Sequence, residues 1–234
     1  MMYGQSTTGE KILAKPKGRS TCSLCGDVLI SKCGTIKVWH WAHKGDVNCD
    51  SWGEGESDWH LGWKKKVDRC SCEIKMGNHF ADIIVNDVVI ELQNSSISPE
   101  IVREREDFYG DMIWLFNGHK FAKNLKLKER ENYCAFIWKW FPKTLLECKK
   151  SIYMDMGDKI FHIRKINKVW IKSNNDWNIR GYTWKRGWGG WGKILTYEEF
   201  KKRFLIQHHL TSITTDYEEN ENVNKYRQIN LKTI

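Results

Sequence analysis

The chain has 234 residues with a formal net charge of +9, and 13 of its residues are tryptophan. This length is enough to bury a real core, as one large domain or two small ones. No stretch is long and apolar enough to span a bilayer and the N-terminus lacks a signal-peptide pattern, so the sequence argues against a membrane partner and predicts a cytoplasmic protein. The positive charge favours a polyanionic partner such as nucleic acid.

The first pattern along the chain combines cysteine and histidine. A Cys-x2-Cys pair is followed, after fourteen residues, by a His-x2-His pair, a spacing close to that of tetrahedral zinc sites. The predicted ligands are Cys22, Cys25, His40 and His43. A filled tetrahedral site is structural, and here it would hold residues 1–50 as a zinc-binding module too small for a core of its own. Cys33 or Cys49 could replace one histidine, and free thiols with surface histidines are the metal-free alternative.

The next segment, from Trp52 to Val67, has helical spacing. On a helical wheel Glu56 and His60 share a mostly aromatic stripe, and a glutamate on a buried stripe needs a partner. A functional role for Glu56 is one interpretation. The other is a local pair between Glu56 and His60 at i+4, with Lys64 at a solvated edge.

A β-hairpin is predicted where two β-branched runs meet at Asn86-Asp87. Counting outward from this two-residue turn places Asp82 directly opposite Glu91, with Gln93 on the same face as Glu91. Two buried carboxylates in this position repel each other and need a shared proton or a cation, of which a divalent metal ion is the simplest. An edge hairpin with its polar face in water is the alternative.

A helix is predicted to begin at Ser98 and Pro99 and to run to Gly110, and the apolar run that follows it predicts a strand covered on both faces. Arg103 on this helix could reach a phosphate or pair with neighbouring acidic residues. Together with the hairpin, these elements predict an α/β core with a mixed sheet over residues 51–145.

The C-terminal part is predicted as an α+β extension over residues 146–212. It contains a hairpin from Ser151 to Ile166, a helix from Thr196 to Leu210 with a capping box, and a Trp/Gly-rich stretch from Trp177 to Gly192. With Lys185 and Arg186, that stretch could be a nucleic-acid platform or an irregular loop over the core. Residues 213–234 are polar and predict a disordered tail.

The order of these pieces resembles a known family over roughly residues 20–165. The matching residues are the Cys22/Cys25 pair, His40-Trp41-Ala42-His43, Glu56-Ser57-Asp58-Trp59-His60 with Lys64, Ala81-Asp82-Ile83, Ile90-Glu91-Leu92-Gln93 with Ser96-Ile97, and a helix with Arg103 and Tyr109 ahead of the Trp114 strand. They resemble the CoiA-like competence proteins, whose nuclease-like domain belongs to the PD-(D/E)xK superfamily.

The resemblance implies metal-dependent cleavage of nucleic-acid phosphodiesters, DNA first of all, in a restriction-endonuclease-like mixed sheet flanked by helices. By position, Asp82 and Glu91 with the Leu92 carbonyl would bind Mg²⁺ or Mn²⁺, and Glu56 would add a direct or water-mediated ligand from its helix. Gln93 stands where the superfamily has a lysine. Glutamine can orient a water molecule but supplies no positive charge, which Lys64 or His60 would have to provide.

Three hypotheses therefore compete. The first is a metal-dependent nuclease with a structural zinc module, and the second is a catalytically silent protein that keeps the fold and assists DNA processing. The third, a zinc-dependent adaptor using its tryptophans, leaves the hairpin unexplained. DNA against RNA stays open, as does the oligomeric state, for which a homodimer is one possibility.

Overall fold

The computed structural model of the chain describes residues 1–45, 49–53, 55–173 and 183–207, with the backbone alone at 170–173 and 183–185. This part of the chain is mixed α/β, mostly sheet, with four helices. Among the described helices, none has the length and apolar character needed to cross a membrane.

The N-terminal residues form a five-stranded antiparallel sheet in the order β2-β1-β3-β4-β5. Its strands are β1 Tyr3–Gln5, β2 Lys11–Leu13, β3 Arg19–Thr21, β4 Val28–Lys32 and β5 His40–His43. Leu29 and Trp41 are fully buried in its small core. The Trp41 indole donates to the Ile12 carbonyl at 2.9 Å, which ties β5 to β2.

The rest of the described chain is built on a nine-stranded sheet in the order β10-β11-β14-β13-β12-β9-β8-β7-β6. Its strands are β6 Cys72–Met76, β7 His79–Val85, β8 Val88–Gln93, β9 Met112–Asn117, β10 Leu125–Glu129, β11 Cys134–Trp138, β12 Ser151–Asp155, β13 Lys159–Ser173 and β14 Thr183–Thr196. The central strands β8, β9 and β12 are parallel, and the outer pairs are antiparallel. The sheet is therefore mixed, as predicted.

Helices cover both faces of this sheet. They are α1 Asp58–Lys64, α2 Pro99–Tyr109, α3 Gly118–Phe121 and α4 Tyr197–Phe204. Side chains of β9 alternate between the faces: Trp114 belongs to the core on the α2 side, whereas Leu115 packs with Trp63 of α1 and Phe200 of α4. All six residues of β9 are buried, which confirms the prediction of a strand covered on both sides.

Elements with strong local signals lie where the sequence predicts them. Asn86 and Asp87 form the hairpin turn with φ of 50° and 63°, and Val85 pairs with Val88. The side chain of Ser98 caps α2, and Thr196 and Glu199 form the capping box of α4. The predicted hairpin from Ser151 is also present, and it extends the nine-stranded sheet.

Two expectations about element extent are wrong. The helix predicted from Trp52 begins only at Asp58, because Ser57 caps it and the preceding residues include Gly53 and Gly55, which oppose helix. Glu56 therefore precedes α1. The helix predicted to run to Leu210 ends at Phe204. The last residues of that prediction, 208–210, lie outside the described part of the chain.

The Trp/Gly-rich stretch is a strand where it is described. From Thr183 onward it forms β14, which pairs with β13 on one side and β11 on the other, so the irregular loop is not present there. Its glycines permit this close pairing: a Cβ on Gly190 would lie 1.8 Å from the Lys165 carbonyl oxygen. The start of the stretch, at 177–182, and the tail at 213–234 lie outside the described residues.

Candidate functional site

A cavity of about 330 Å³ lies where the N-terminal sheet meets the hairpin β7–β8. Two polar groups of residues line it. One contributes His43 and Cys49, and the other contributes the side chains of Glu56, His60, Lys64, Glu73, Asp82, Glu91 and Arg105, with Leu92. The predicted zinc module and the predicted carboxylate site therefore share one cavity.

The first group is a cluster of three cysteines and one histidine, which we call the Cys/His set. Its members are Cys22, Cys25, His43 and Cys49, and their ligand atoms all lie within 4.8 Å of one another. The Cys22 and Cys49 sulfurs are 3.6 Å apart, and the Cys25 sulfur is 3.3 Å from His43 Nε2. Ligand atoms around a tetrahedral zinc ion are separated by about 3.5–3.8 Å. The set can therefore hold a metal ion such as zinc.

His40 is not part of this set, which corrects the predicted ligands. It lies on β5 with His43, three residues apart, and residues at odd spacing on a strand point to opposite faces. The Nδ1 of His40 lies 2.7 Å from the Val38 carbonyl oxygen instead. Cys49 takes its place, and Cys33, the other alternative, only packs against the core of the N-terminal sheet.

The local chemistry of the Cys/His set suits a cation. Gly26, with φ of 80°, turns the backbone after the Cys-x2-Cys pair, and the Leu24 amide donates to the Cys22 sulfur at 3.4 Å. Burial and hydrogen bonds from the neighbouring thiols raise the pKa of Cys49. The Cys49 thiol is therefore protonated when no cation is bound, whereas a bound metal ion favours its thiolate.

The second group contains a row of carboxylates across three neighbouring strands. Glu73 of β6, Asp82 of β7 and Glu91 of β8 lie side by side, since Cys72 and Ile83 are paired and the hairpin register continues outward to Asp82 and Glu91. The Asp82 amide donates to Glu91 Oε1 at 3.3 Å, so the predicted opposition of these residues holds. Glu73 was not foreseen from the sequence.

Two buried cations neutralise this row. Lys64 Nζ lies 3.0 Å from Asp82 Oδ1, 3.0 Å from Glu73 Oε1 and 3.2 Å from Glu56 Oε1. Arg105 Nη1 lies 2.8 Å from Glu91 Oε2. The sequence predicts that these carboxylates need a shared proton or a cation, and Lys64 and Arg105 each supply a cation. Lys64 is buried and is not at a solvated edge, and Glu56 pairs with it rather than with His60.

The protonation of these groups follows from burial and charge. Burial and the charge of Asp82 raise the pKa of Glu91 to about 7, against the opposing effect of Arg105. Burial would also raise the pKa of Glu73, but Lys64 and the amides of Met2 and Tyr3 outweigh it and lower that pKa to about 2. The carboxylates around Lys64 raise its pKa well above the ordinary value although burial opposes them. Lys64 therefore stays protonated.

His60 positions the Leu92 carbonyl. His60 Nε2 lies 3.0 Å from that oxygen, and a carbonyl can only accept, so Nε2 carries the hydrogen and donates it. The other ring nitrogen, Nδ1, lies 2.9 Å from the Ser57 hydroxyl, which fixes the ring. The Leu92 amide donates to Asp82 Oδ2 at 3.0 Å. His60 and Asp82, both predicted site residues, therefore hold the backbone of Leu92 in place.

Gln93 is wholly buried and donates through Nε2 to the Ser95 carbonyl at 2.9 Å. It does not line the cavity, and the cation beside Asp82 is Lys64. Arg103 is partly exposed and pairs with Glu147 at 2.9 Å, and it does not line the cavity.

The remaining predicted nucleic-acid contacts lie on β14. Arg186 is exposed there, and the side chain of Lys185 falls outside the described part of the structure. Arg186 does not line the cavity.

Residues 49–53 and 55–56, which we call the connecting segment, join the two groups. Next to Cys49, the Asp50 carboxylate accepts from His79 Nδ1 at 2.8 Å and from the Phe80 amide at 3.0 Å, which attaches it to β7. The Trp52 carbonyl accepts from Arg105 Nη2 at 2.8 Å. Cys49 of the Cys/His set is thus linked through a short stretch of chain to the guanidinium that pairs with Glu91.

Comparison with known proteins gives one similarity. Residues 5–51 match the family model described as "Competence protein CoiA, N-terminal domain", a range that contains the whole Cys/His set. No curated protein and no solved structure matched the chain. The N-terminal sheet and its Cys/His set are therefore similar to the N-terminal domain of CoiA, which supports the resemblance to CoiA-like proteins over this region.

Proposed function

We propose that the protein is a metal-dependent nuclease that hydrolyses phosphodiester bonds of nucleic acid, with DNA as the first substrate to test. The observation that carries the proposal is the meeting of two carboxylates, Asp82 and Glu91, with the Leu92 carbonyl and the Lys64 ammonium in one cavity. In such a site anionic oxygens hold a cation while a second positive charge faces the substrate.

The donor atoms fit a hard divalent cation. Carboxylate and carbonyl oxygens are the ligands that Mg²⁺ and Mn²⁺ prefer, and Asp82, Glu91 and Leu92 offer them on two paired strands. When bound, the ion would lower the pKa of a water molecule and neutralise charge on the attacked phosphate. Glu56, which precedes α1, pairs with the same Lys64 ammonium group as Asp82 and would act through Lys64.

Lys64 is the residue that we assign to the role of the superfamily lysine in place of Gln93. Its raised pKa keeps it cationic, so it cannot act as a general base, and its three N–H groups are directed to Glu56, Glu73 and Asp82. The role left to it is to stabilise, by its charge, the negative charge that develops on the phosphate. Glu56 and Glu73 hold the ammonium group in place. His60 contributes by fixing the Leu92 carbonyl rather than by contacting substrate.

A second candidate is a catalytically silent protein that binds DNA and assists its processing. The ion pairs favour it: Lys64 already neutralises Asp82, and Arg105 already neutralises Glu91. A metal ion would have to compete with these cations. Under this alternative the row of carboxylates and cations joins α1 and α2 to the hairpin and has no chemical role.

The test is cleavage of labelled single- and double-stranded DNA and RNA in Mg²⁺, in Mn²⁺ and in EDTA. We expect cleavage with metal and none with EDTA, and Asp82→Asn and Glu91→Gln should each lower the rate on the order of 10²-fold or more. The matched control is Asp87→Asn in the turn of the same hairpin, where φ is 63° and asparagine is well tolerated. If the wild type binds DNA in EDTA but cleaves no substrate, the silent-protein candidate replaces the nuclease.

A further inference from the structure

A second cavity, of about 590 Å³, begins where β8 ends. We call it the Trp140 groove. It is lined by Asn94, Ser95, Ser96, Lys120, Phe121, Lys123, Trp140 and Pro142. Because Asn94 follows Glu91 by three residues, one end of the groove lies about 10 Å along the chain from the candidate metal ligands.

Trp140 is the unusual member of this groove. Its side chain is 68 % exposed, whereas Trp138, two residues earlier, is fully buried. The Trp138 indole donates to the Lys123 carbonyl at 3.2 Å, which fixes the backbone beneath that lysine. Lys139 Nζ lies 5.4 Å from the centre of the Trp140 ring, within the range of a cation–π contact. An exposed indole face is therefore presented on a well-anchored backbone.

The opposite wall is also held in place. Asn117 Nδ2 donates to Asn94 Oδ1 at 2.7 Å, and Asn117 Oδ1 accepts from the His119 amide at the start of α3. Phe121 packs edge-on against the buried Phe116 with ring centres 5.1 Å apart. Asn94 and Phe121 are therefore held in place by contacts with the sheet. A ligand in the groove would need to order mainly the exposed side chains that line it.

The charge of the groove is positive. Of the described residues that line it, two are lysines and none is a carboxylate, in contrast to the acidic cavity around Asp82. Lysines beside an exposed aromatic face are the combination that binds single-stranded nucleic acid, because bases stack on the ring and phosphates pair with the cations. An acidic peptide would satisfy the lysines but has no planar base to stack on the indole.

We infer that the Trp140 groove binds a single strand of nucleic acid, with a base stacked on Trp140 and phosphates beside Lys120 and Lys123. Its relation to cleavage rests on the proposed function: the strand would continue from this groove toward Asp82 and Glu91. The binding surface itself does not depend on hydrolysis.

The test measures binding without cleavage, by fluorescence anisotropy of labelled oligo(dT) and oligo(U) in EDTA. Trp140→Ala should weaken binding about 5- to 150-fold, the range for loss of one base–aromatic stack. Replacing Lys120 and Lys123 together by alanine should lower the slope of log affinity against log salt by about 1.4. Trp39→Ala is the matched control, since Trp39 is 50 % exposed but does not line the groove.

Photocross-linking of a 5-bromouracil-substituted strand, followed by peptide mapping, gives a second readout that does not rely on a variant. A cross-link at Trp140 supports the inference even if no substrate is cleaved, in which case the proposed nuclease fails alone. The inference would be overturned by no binding of either oligonucleotide, or by binding that Trp140→Ala and Trp39→Ala affect equally. Equal competition by poly-glutamate would also overturn it in favour of an acidic protein partner.

Discussion

Lys64 is the residue on which the charge balance of the site depends. It is buried at the end of α1 and lies within 3.2 Å of carboxylate oxygens from Glu56, Glu73 and Asp82. Arg105 pairs with Glu91 and cannot replace it. The position therefore combines a structural role with the catalytic role proposed above.

Lys64→Met should lower the free energy of unfolding by about 3–5 kcal/mol at pH 7, because it leaves buried carboxylates without their cation. Urea unfolding measures this loss. The matched control is Lys159→Met, which removes a surface pair with Glu129 and should cost less than about 1 kcal/mol. Equal effects of the two variants would show that the buried network contributes no more than a surface pair.

The dependence of the free energy of unfolding on pH has a defined sign. The pKa of Glu73 is about 2 against an ordinary 4.5, so its ionised form stabilises the fold above about pH 4.5, and this contribution is lost as the pH falls toward 2. In Lys64→Met the largest of the effects that lower the pKa of Glu73 is lost. The stability difference between wild type and variant should therefore shrink as the pH is lowered from 7 to 3.

At the scale of elements, β14 depends most on its glycines. Gly190 has φ of 155°, and it pairs with Ile166, next to the irregularity of β13 between Ile163 and Lys165. A Cβ there would meet the Lys165 carbonyl oxygen at 1.8 Å, which no side-chain movement can relieve. The close pairing of these two long strands is possible because this position has no side chain.

Gly190→Ala should therefore destabilise the protein by about 3 kcal/mol or more, since both the backbone conformation and the space are unsuitable. Gly62→Ala provides the control, because Gly62 lies within α1 and a Cβ there meets nothing within 4 Å. That variant should be stabilised by up to about 1 kcal/mol. Thermal unfolding of both variants measures these changes in stability. A Gly190→Ala variant as stable as the wild type would contradict the observed pairing of β13 with β14.

The sequence predicts elements whose signals are local. The Asn86-Asp87 turn, the Ser98-Pro99 helix start and the Thr196 capping box each depend on a few adjacent residues, and all three are confirmed. The late start of α1 and the strand character of β14 were missed. A glycine-rich segment becomes a strand only when neighbouring strands approach it closely, and that approach is a tertiary property.

The candidate site likewise has some features that follow from local sequence and others that depend on tertiary contacts. The opposition of Asp82 and Glu91 follows from counting along one hairpin, and it could be predicted. Glu73 and the contact of Arg105 with Glu91 could not, because each depends on elements brought together from different parts of the chain. Cys49 was one of two cysteines that the spacing left open as a replacement for a histidine, and the folded arrangement selects it. The alternation of side chains along a strand was the one available signal against pairing His40 with His43.

At the scale of the whole molecule, the N-terminal sheet is joined to the nine-stranded sheet through polar contacts. Glu73 accepts from the amides of Met2 and Tyr3 on one side and pairs with Lys64 on the other. Lys11 Nζ donates to the carbonyls of Cys72 and Glu73. The connecting segment adds the path from Cys49 to Arg105. We therefore expect loss of metal at the Cys/His set to destabilise the hairpin β7–β8 as well.

Metal analysis of the purified protein should find about one zinc ion per chain. Cys49→Ser should lose the ion, whereas His40→Ala and Cys33→Ser should retain it, because neither residue belongs to the Cys/His set. Zinc loss should also lower the melting temperature by several degrees, given about 2–4 °C per kcal/mol for a chain of this size.

Hydrogen exchange should then rise at β7 and β8 as well as in the N-terminal sheet, because Asp50 and Trp52 anchor the connecting segment to Phe80 and Arg105. If exchange rises in the N-terminal sheet alone, the two sites share a cavity without energetic coupling. If His40→Ala loses zinc and Cys49→Ser keeps it, the ligand set is the one that the sequence spacing predicted.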